Sequence, residues 1–305
     1  MKNARRADGI RRRGKSFVKK TVLYLFLACL AYVFLYPFIF MVLNSFKSPQ
    51  DLMNPSINWI PSALHMKNYS LAISQTRYYT GLVNSFAITL LCTLGHVISG
   101  SFIGYGFART KAPFKSLFMG MLLITLVIPI QIIIIPLYVQ FGRYGWLDTF
   151  MPMVVPSFLG LGLSGGIYTF IFRQYYQTVP GELESAAYID GCGPFSTYLR
   201  IIMPLSRSTI LVCTIISMVW HWNDYYQPVM FLNTQNLWPA SAMLPQLNQA
   251  SKTAFENVQM IITGDVISSS VVMAAIILVQ IPILLVFMFL QKQFMAGVER
   301  TGIVE

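Results

Sequence analysis

The chain has 305 residues, 55% of them hydrophobic and 11% charged, with a formal net charge of +11. Soluble globular chains carry about 25% charged residues, so a water-facing surface over most of this chain is excluded, and the mean hydropathy of +0.58 makes the bilayer its main solvent. Nine of the 22 Lys and Arg residues fall in the first 20 positions, directly ahead of an apolar run. That is the flank of a membrane span, not the distributed basic face that binds nucleic acid.

In lipid every backbone polar group must be satisfied internally, which leaves helices or closed barrels. The apolar runs are continuous over about 20 residues, the length of a spanning helix. Alternating segments of about 10 residues, the mark of barrel strands, are missing from the sequence. An all-α polytopic membrane protein with six transmembrane helices is expected. It comprises a basic tail over residues 1–20, a transmembrane domain over 21–290 and a C-terminal tail over 291–305.

The basic tail contains Gly9-Ile10-Arg11-Arg12-Arg13-Gly14-Lys15-Ser16, a literal match to GxxxxGK[ST]. That motif binds phosphate only between a strand and a helix, and no strand precedes it, so it reads as part of the flank. The first span, 21–43, is too long for a signal peptide and is expected to stay uncleaved. The second, 82–108, carries Gly95, Ser99, Gly100 and Gly104 on small faces that admit a neighbouring helix. Its His96 has no acidic partner in any span centre, so it reads as a structural histidine rather than a proton relay. The third span, 117–141, holds Pro129 and Pro136 and should kink. The fourth, 151–172, holds Gly160, Gly162, Gly165 and Gly166, expected at close helix contacts. The fifth is 210–232, with a polar end at His221, Asn223 and Asp224. The sixth is 266–290, with Pro282 inside it.

With the N-terminus inside, the inner segments hold the nine tail cations, Arg109, Lys111, Lys115, Arg173, Arg200, Arg207, Lys292 and Arg300, leaving only Lys47, Lys67, Arg77, Arg143 and Lys252 outside. This bias places both termini in the cytoplasm. Two long outer stretches, 45–81 and 233–264, read as polar loops. Four cysteines, Cys29, Cys92, Cys192 and Cys213, form no CxxC pair, and the three histidines sit in no HExxH pattern. Neither a catalytic residue nor a metal ligand is expected.

The inner loop 173–207 is the most informative segment. Leu183, Ala186, Ala187 and Asp190 share one helical face. Glu182 and Glu184 lie in the first turn, where the helix dipole favours acids, and Gly191 suits a left-handed terminating residue. The acidic character argues against a helix lying on an anionic membrane surface. A short helix outside the bilayer, joined to spans at both ends, is the expectation.

This segment resembles the cytoplasmic signature of permease subunits of binding-protein-dependent ABC importers: Glu-Ala-Ala, three residues, Gly, nine residues, Ile-x-Leu-Pro. Ala186, Ala187, Gly191, Ile201 and Pro204 fall in register; Ser185 stands where the signature has Glu, with Glu184 one position earlier, and Met203 replaces Leu. Ile189-Asp190-Gly191-Cys192, Trp222-Asn223-Asp224-Tyr225 with Pro228 and Phe231-Leu232-Asn233, and Gln291-Lys292-Gln293-Phe294 with Gly297 are similar to the carbohydrate-uptake branch, nearest the six-span permease of the maltose-type pair. The resemblance covers nearly the whole chain and weakens in the basic tail.

The resemblance implies a type I importer permease fold in a bacterial inner membrane. It implies a second homologous permease subunit, two ATPase subunits that carry ATP and magnesium, and an extracytoplasmic sugar-binding protein delivering a sugar, expected to be an oligosaccharide. This chain would bind no cofactor itself. Glu184, Ser185, Ala186, Ala187, Asp190, Gly191, Ile201 and Pro204 would form the ATPase-coupling helix and loop. Asn84, Gln131, Trp222, Asn223, Asp224 and Tyr225 are candidates for the translocation path or gate, since aromatic faces and amide or carboxylate groups suit sugars. The alternative is a secondary transporter of a small polar solute, which would need midplane ionisable groups.

Overall fold

The computed structural model describes residues 2–57, 59–256 and 267–301, with side chains over 19–57, 59–253 and 267–292. Among these residues every regular element is a helix. The chain divides into two units, residues 1–71 with 251–277, and residues 72–250 with 278–305.

In the first unit, helix α1 (Lys2–Ser45) runs unbroken through Pro37. The expected first span is therefore the C-terminal part of a longer helix that begins in the basic tail. Its apolar stretch, Lys19–Ser45, has a mean hydropathy of 2.4 and none of its most apolar window is buried. The polar segment after α1 is folded rather than a loose loop. Helix α2 (Pro49–Met53) is N-capped by the Ser48 hydroxyl, which accepts from the Asp51 amide at 3.1 Å. The Asp51 carboxylate accepts from the Ser62 hydroxyl at 2.6 Å and the Ser62 amide at 3.2 Å, and the hydroxyl bond above all holds its pKa below the ordinary aspartate value. Asn68, on helix α3 (Lys67–Gln75), donates to the carbonyls of Ser45 and Lys47 at 2.8 and 2.9 Å. These bonds satisfy backbone acceptors at and just past the C-terminus of α1, where a helix leaves its last carbonyls without partners.

The second unit is organised around α4 (Tyr78–Arg109), against which α7 (Met151–Phe158), α8 (Gly165–Thr178) and α12 (Arg207–Asn223) pack. The α4–α8 contact explains two of the glycines. A Cβ on Gly100 would lie 2.9 Å from Tyr168 Cβ, and one on Gly104 would lie 2.8 Å from Phe172 Cβ and 2.9 Å from the Arg173 amide nitrogen. Buried Tyr168, Phe172, Tyr176, Tyr198, Ile202 and Cys213 fill the core where these helices converge.

The third expected span is broken as its prolines suggest. Helices α5 (Lys115–Val127) and α6 (Ile130–Arg143) meet at an angle of 102°. Pro129 sits at the break, while Pro136 lies within α6 without interrupting it. The fourth span departs from expectation. It is two helices, of 8 and 14 residues, separated by a turn in which Gly160, Gly162 and Ser164 have φ of +74°, +85° and +54°. Gly162 thus serves the turn rather than close helix packing, while Gly160 does both, since its Cβ would also lie 2.5 Å from Ile103 Cδ1 of α4. Gly166 also sits at a close approach, where a Cβ would meet the Leu122 carbonyl of α5 at 3.1 Å, and a Cβ on Gly165 would meet the Gly160 carbonyl oxygen at 2.6 Å.

The fifth span ends at Asn223, and Asp224 starts a separate helix, α13 (Tyr226–Phe231). The second outer stretch, read as a loop, contains a 17-residue helix, α14 (Ala240–Glu256); residues 257–264 of that stretch lie outside the described residues. Helix α15 (Ser269–Thr301) includes the sixth span and continues through most of the expected C-terminal tail. The expected start of that span at Val266 and the last residues of the tail, 302–305, are outside the described residues. Among the described residues three helices are long and apolar enough to cross a membrane: residues 19–45, 78–109 and 269–292. The count rises to five if each bent pair, Lys115–Val127 with Ile130–Arg143 and Pro194–Leu205 with Arg207–Asn223, is one span. The remaining expected span, the fourth, is the one divided between α7 and α8.

Candidate functional site

Helix α8 ends at Thr178, with Val179 extended ahead of Pro180, which disfavours a helical residue before it. Helix α9 (Glu182–Ile189) follows after Gly181. Its end is set by Gly191, at φ +82°, with the Gly191 amide donating to the Tyr188 carbonyl at 3.1 Å and the Cys192 amide to the Ala187 carbonyl at 2.9 Å. This pairing across a left-handed residue closes a helix by satisfying its last carbonyls. The helix is eight residues long, with Asp190 as its C-cap.

The faces of α9 divide differently from the sequence pattern. Glu184 and Ala187 are buried, whereas Leu183, Ser185, Ala186 and Asp190 are exposed. Ala187 therefore does not share an outward face with Leu183 and Ala186. The reason is Arg109, the last residue of α4. Its Nε donates to Glu184 Oε1 at 2.9 Å and its guanidinium also donates to the Val179 carbonyl at 2.5 Å. The pair is largely shielded, with 21% of the Arg109 side chain and 12% of the Glu184 side chain exposed. A cation also suits the C-terminal turn of α4, where the dipole is negative. Glu184 thus faces inward as an anchor. Ser185, in the signature Glu position, donates to the Gly181 carbonyl at 3.2 Å and remains exposed.

With the anchor inward, α9 turns Leu183, Tyr188 and Ile189 outward, and Ile189 is 87% exposed. The chain continues through α10 (Pro194–Thr197), a π-helical turn (Tyr198–Ile202) and α11 (Met203–Leu205) into α12. Ile202 is wholly buried, Ile201 is half-buried, and Pro204 is exposed at the start of α11. A chain of hydroxyls holds this return segment to the core. Ser101 of α4 contacts the Tyr176 hydroxyl at 2.6 Å and the Tyr198 hydroxyl at 2.8 Å, and Tyr175 donates to the Leu205 carbonyl at 2.7 Å. Arg109, Ser101, Tyr176 and Tyr198 were not singled out from sequence. A lone arginine closing a span was the available signal for the first, and its weight there went to membrane orientation.

The six path candidates separate into two groups. Trp222 is buried; its indole donates to the Val279 carbonyl of α15 at 3.0 Å and it meets Phe86 edge-on at 4.9 Å. Asn84 donates to the carbonyls of Asn236 and Trp238 at 2.7 and 3.1 Å. Asp224 accepts from the amides of Tyr226 and Gln227 at 3.0 and 3.3 Å, capping α13. These three are committed to holding the fold. Asn223 is exposed and accepts from Gln280 at 3.0 Å. Tyr225 and Gln131 are exposed as well. His96 is buried, stacked on Tyr168 at 4.5 Å and 5.1 Å from His221, and its ring nitrogens have no hydrogen-bond partner among the described residues. The described residues contain no cluster of three or more metal-ligating side chains.

A bundle of helices long and apolar enough to cross a membrane, with short α9 turning apolar side chains outward beside it, defines a polytopic membrane protein. The chain belongs to the family of binding-protein-dependent transport system inner membrane components, whose pattern it matches over residues 96–300. It is therefore a multi-pass inner-membrane component of an importer, not itself a catalytic subunit. It is 26% identical to the probable ABC transporter permease protein YurM of Bacillus subtilis over 94% of this chain and 89% of that protein. It is 29% identical to the sn-glycerol-3-phosphate transport system permease protein UgpE of Pectobacterium atrosepticum, over 71% of each chain. It is also 29% identical to the probable starch degradation products transport system permease protein AmyC of Thermoanaerobacterium thermosulfurigenes, over 72% of this chain and 78% of that one. In fold it is similar to a chain of a bacterial ABC transporter involved in the import of the acidic polysaccharide alginate, with a TM-score of 0.72 at 18% identity, covering 91% of this chain and 96% of that chain.

Proposed function

We propose that this chain is the transmembrane subunit of a sugar importer, forming half of a translocation path with a second, homologous permease. Two ATPase subunits, which carry ATP and magnesium, dock on its α9 and on the partner's equivalent, and an extracytoplasmic binding protein delivers the sugar. Both termini face the cytoplasm, as the placement of the cations favours. The observation that carries this reading is the two-faced α9: its inward side is anchored by Glu184 and Arg109, and its outward side presents Leu183, Tyr188 and Ile189. An apolar face on a loop helix outside the bilayer calls for a protein partner. Among the relatives are permeases named for starch degradation products and for polygalacturonan and rhamnogalacturonan, which supports a carbohydrate, and an oligosaccharide in particular. Asn223, Tyr225 and Gln131 are the path candidates whose side chains are exposed; Asn84, Trp222 and Asp224 act on the path by positioning its walls.

The test is co-purification with the candidate ATPase and partner permease, followed by ATP hydrolysis in lipid discs with and without binding protein and sugar. Ile189→Asp leaves α9 folded, since Ile189 is 87% exposed, and should abolish ATPase association or stimulation. Unchanged association and stimulation in that variant would remove α9 as the docking element; no ATPase association in the wild type would favour a secondary transporter.

A further inference from the structure

Beside α9, and distinct from its outward face, a cavity of about 520 Å³ lies where α4, the start of α5 and α10 meet. Its walls are apolar and largely aromatic, including Phe102, Phe118 and Phe195, which are 53%, 55% and 62% exposed. Phe102 meets Phe195 edge-on at 6.4 Å and Tyr198 edge-on at 5.7 Å, so the wall on the α10 side is a preformed aromatic surface. Lys115 and Thr110 supply the polar part of the lining, and the α4–α5 turn they flank marks one end of it, the mouth. The Lys115 ammonium is held there by a bond to the Thr110 carbonyl at 3.1 Å, which leaves donors for a second acceptor.

Among the described residues no acidic side chain in the first turn of α5 answers the Lys115 charge. Lys115 is the first residue of α5, where the helix dipole is already positive, and that first turn has no acidic residue and no side-chain cap. Lys111 adds a further exposed cation on the same loop. Along α4 the distance from the mouth at Thr110 to Phe102 is about 12 Å. That is enough to pass from the headgroup zone into hydrocarbon, since the polar zone of each leaflet is about 5–8 Å deep. A slot with a fixed cation at its polar end and aromatic walls below is complementary to an anionic amphiphile.

We propose that this slot binds one anionic phospholipid of the cytoplasmic leaflet, its phosphate on Lys115 and the N-terminal turn of α5, one acyl chain between Phe102, Phe118 and Phe195. The leaflet assignment rests on the orientation given under the proposed function. Because Phe195 lies on α10, directly after α9, the lipid braces the segment that carries the docking helix. Basic pockets at the cytoplasmic ends of spans are a recurring form of such recognition.

The test is native mass spectrometry of the purified full chain, titrated with phosphatidylglycerol or phosphatidylcholine, so the readout does not depend on whether ATPase subunits associate. One tightly retained phosphatidylglycerol is expected, with phosphatidylcholine weaker. Lys115→Gln should weaken phosphatidylglycerol about fivefold, and Arg143→Gln, at the far end of α6, should leave it unchanged. Equal binding of the two lipids, or no effect of Lys115→Gln, overturns the proposal. In the assembled complex, benzoylphenylalanine at Phe118 should crosslink to lipid on illumination; a crosslink to a second permease chain would identify the slot as a subunit interface and also overturn it.

Discussion

Replacing Arg109 with alanine removes two bonds at once, one to Glu184 Oε1 at 2.9 Å and one to the Val179 carbonyl at 2.5 Å. The Glu184 carboxylate, only 12% exposed, is then left without its cation. Breaking a buried ion pair costs about 3–5 kcal/mol. The 21% exposure of Arg109 lets water replace part of what is lost, so the lower figure of about 2 kcal/mol, that of a charged hydrogen bond, applies. The loss falls on α9 and on the Val179–Gly181 link that leads into it, since Glu184 lies on α9 and Val179 just past α8. Local opening of residues 181–192 should therefore become about 30-fold more populated. Hydrogen exchange of the chain in lipid discs reads this directly as lost protection of those amides, with α4 and α8 unchanged. Glu184→Ala should have a similar effect, and the double variant should cost less than the two single changes together by about 1–2 kcal/mol. Wild-type protection of 181–192 in Arg109→Ala, or additive single effects, would refute the anchor.

At the α4–α8 crossing, Gly104→Ala places a Cβ 2.8 Å from Phe172 Cβ and 2.9 Å from backbone, so a loss of about 1–3 kcal/mol should appear as a lower Tm of the purified chain. Gly191 is the opposite case: at φ +82° a Cβ meets nothing within 4 Å, so the strain is purely conformational, and Gly191→Asn should hold ATPase association while Gly191→Val loses it. Asp148 accepts from the Asn233 and Thr234 amides and the Thr234 hydroxyl, and the Thr234 bonds foremost hold its pKa below the ordinary value of 3.8. Its contribution is therefore complete above that value and lost as pH falls through the lowered one. Asp148→Asn should lower thermal stability at neutral pH, and the gap from wild type should close only at pH below 3.8.

The helical character, the apolar runs and the position of the short loop helix were legible because they depend on composition and local pattern. Pro129 marked its break, and Gly191 marked the end of α9, since both act through their own backbone. What escaped the sequence depends on contacts between distant residues. The burial of Glu184 and Ala187 follows from Arg109, 75 positions earlier than Glu184, and no periodicity announces it. Gly160 and Gly162 lie in a glycine-rich run that serves equally for a turn or a helix contact; only their neighbours decide. Asn84, Trp222 and Asp224 have the chemistry of a sugar contact, yet it is satisfied by carbonyls and amides of the chain itself. The helix α14 was masked by Pro245 and by polar composition.

Helix α4 is tied at both of its ends. At one end Arg109 holds Glu184 and Val179; at the other, Asn84 holds the carbonyls of Asn236 and Trp238, and Arg77 donates to Asn236. Between Asn84 and Arg109 lies a single unbroken rod about 38 Å long. A tilt of about 5° pivoted at Arg109 moves the Asn84 end by about 3 Å, as much as a hydrogen bond is long. The links at Asn84 would then have to part or carry the 236–238 segment along, so α4 mechanically joins the segment around α9 to the segment at its far end.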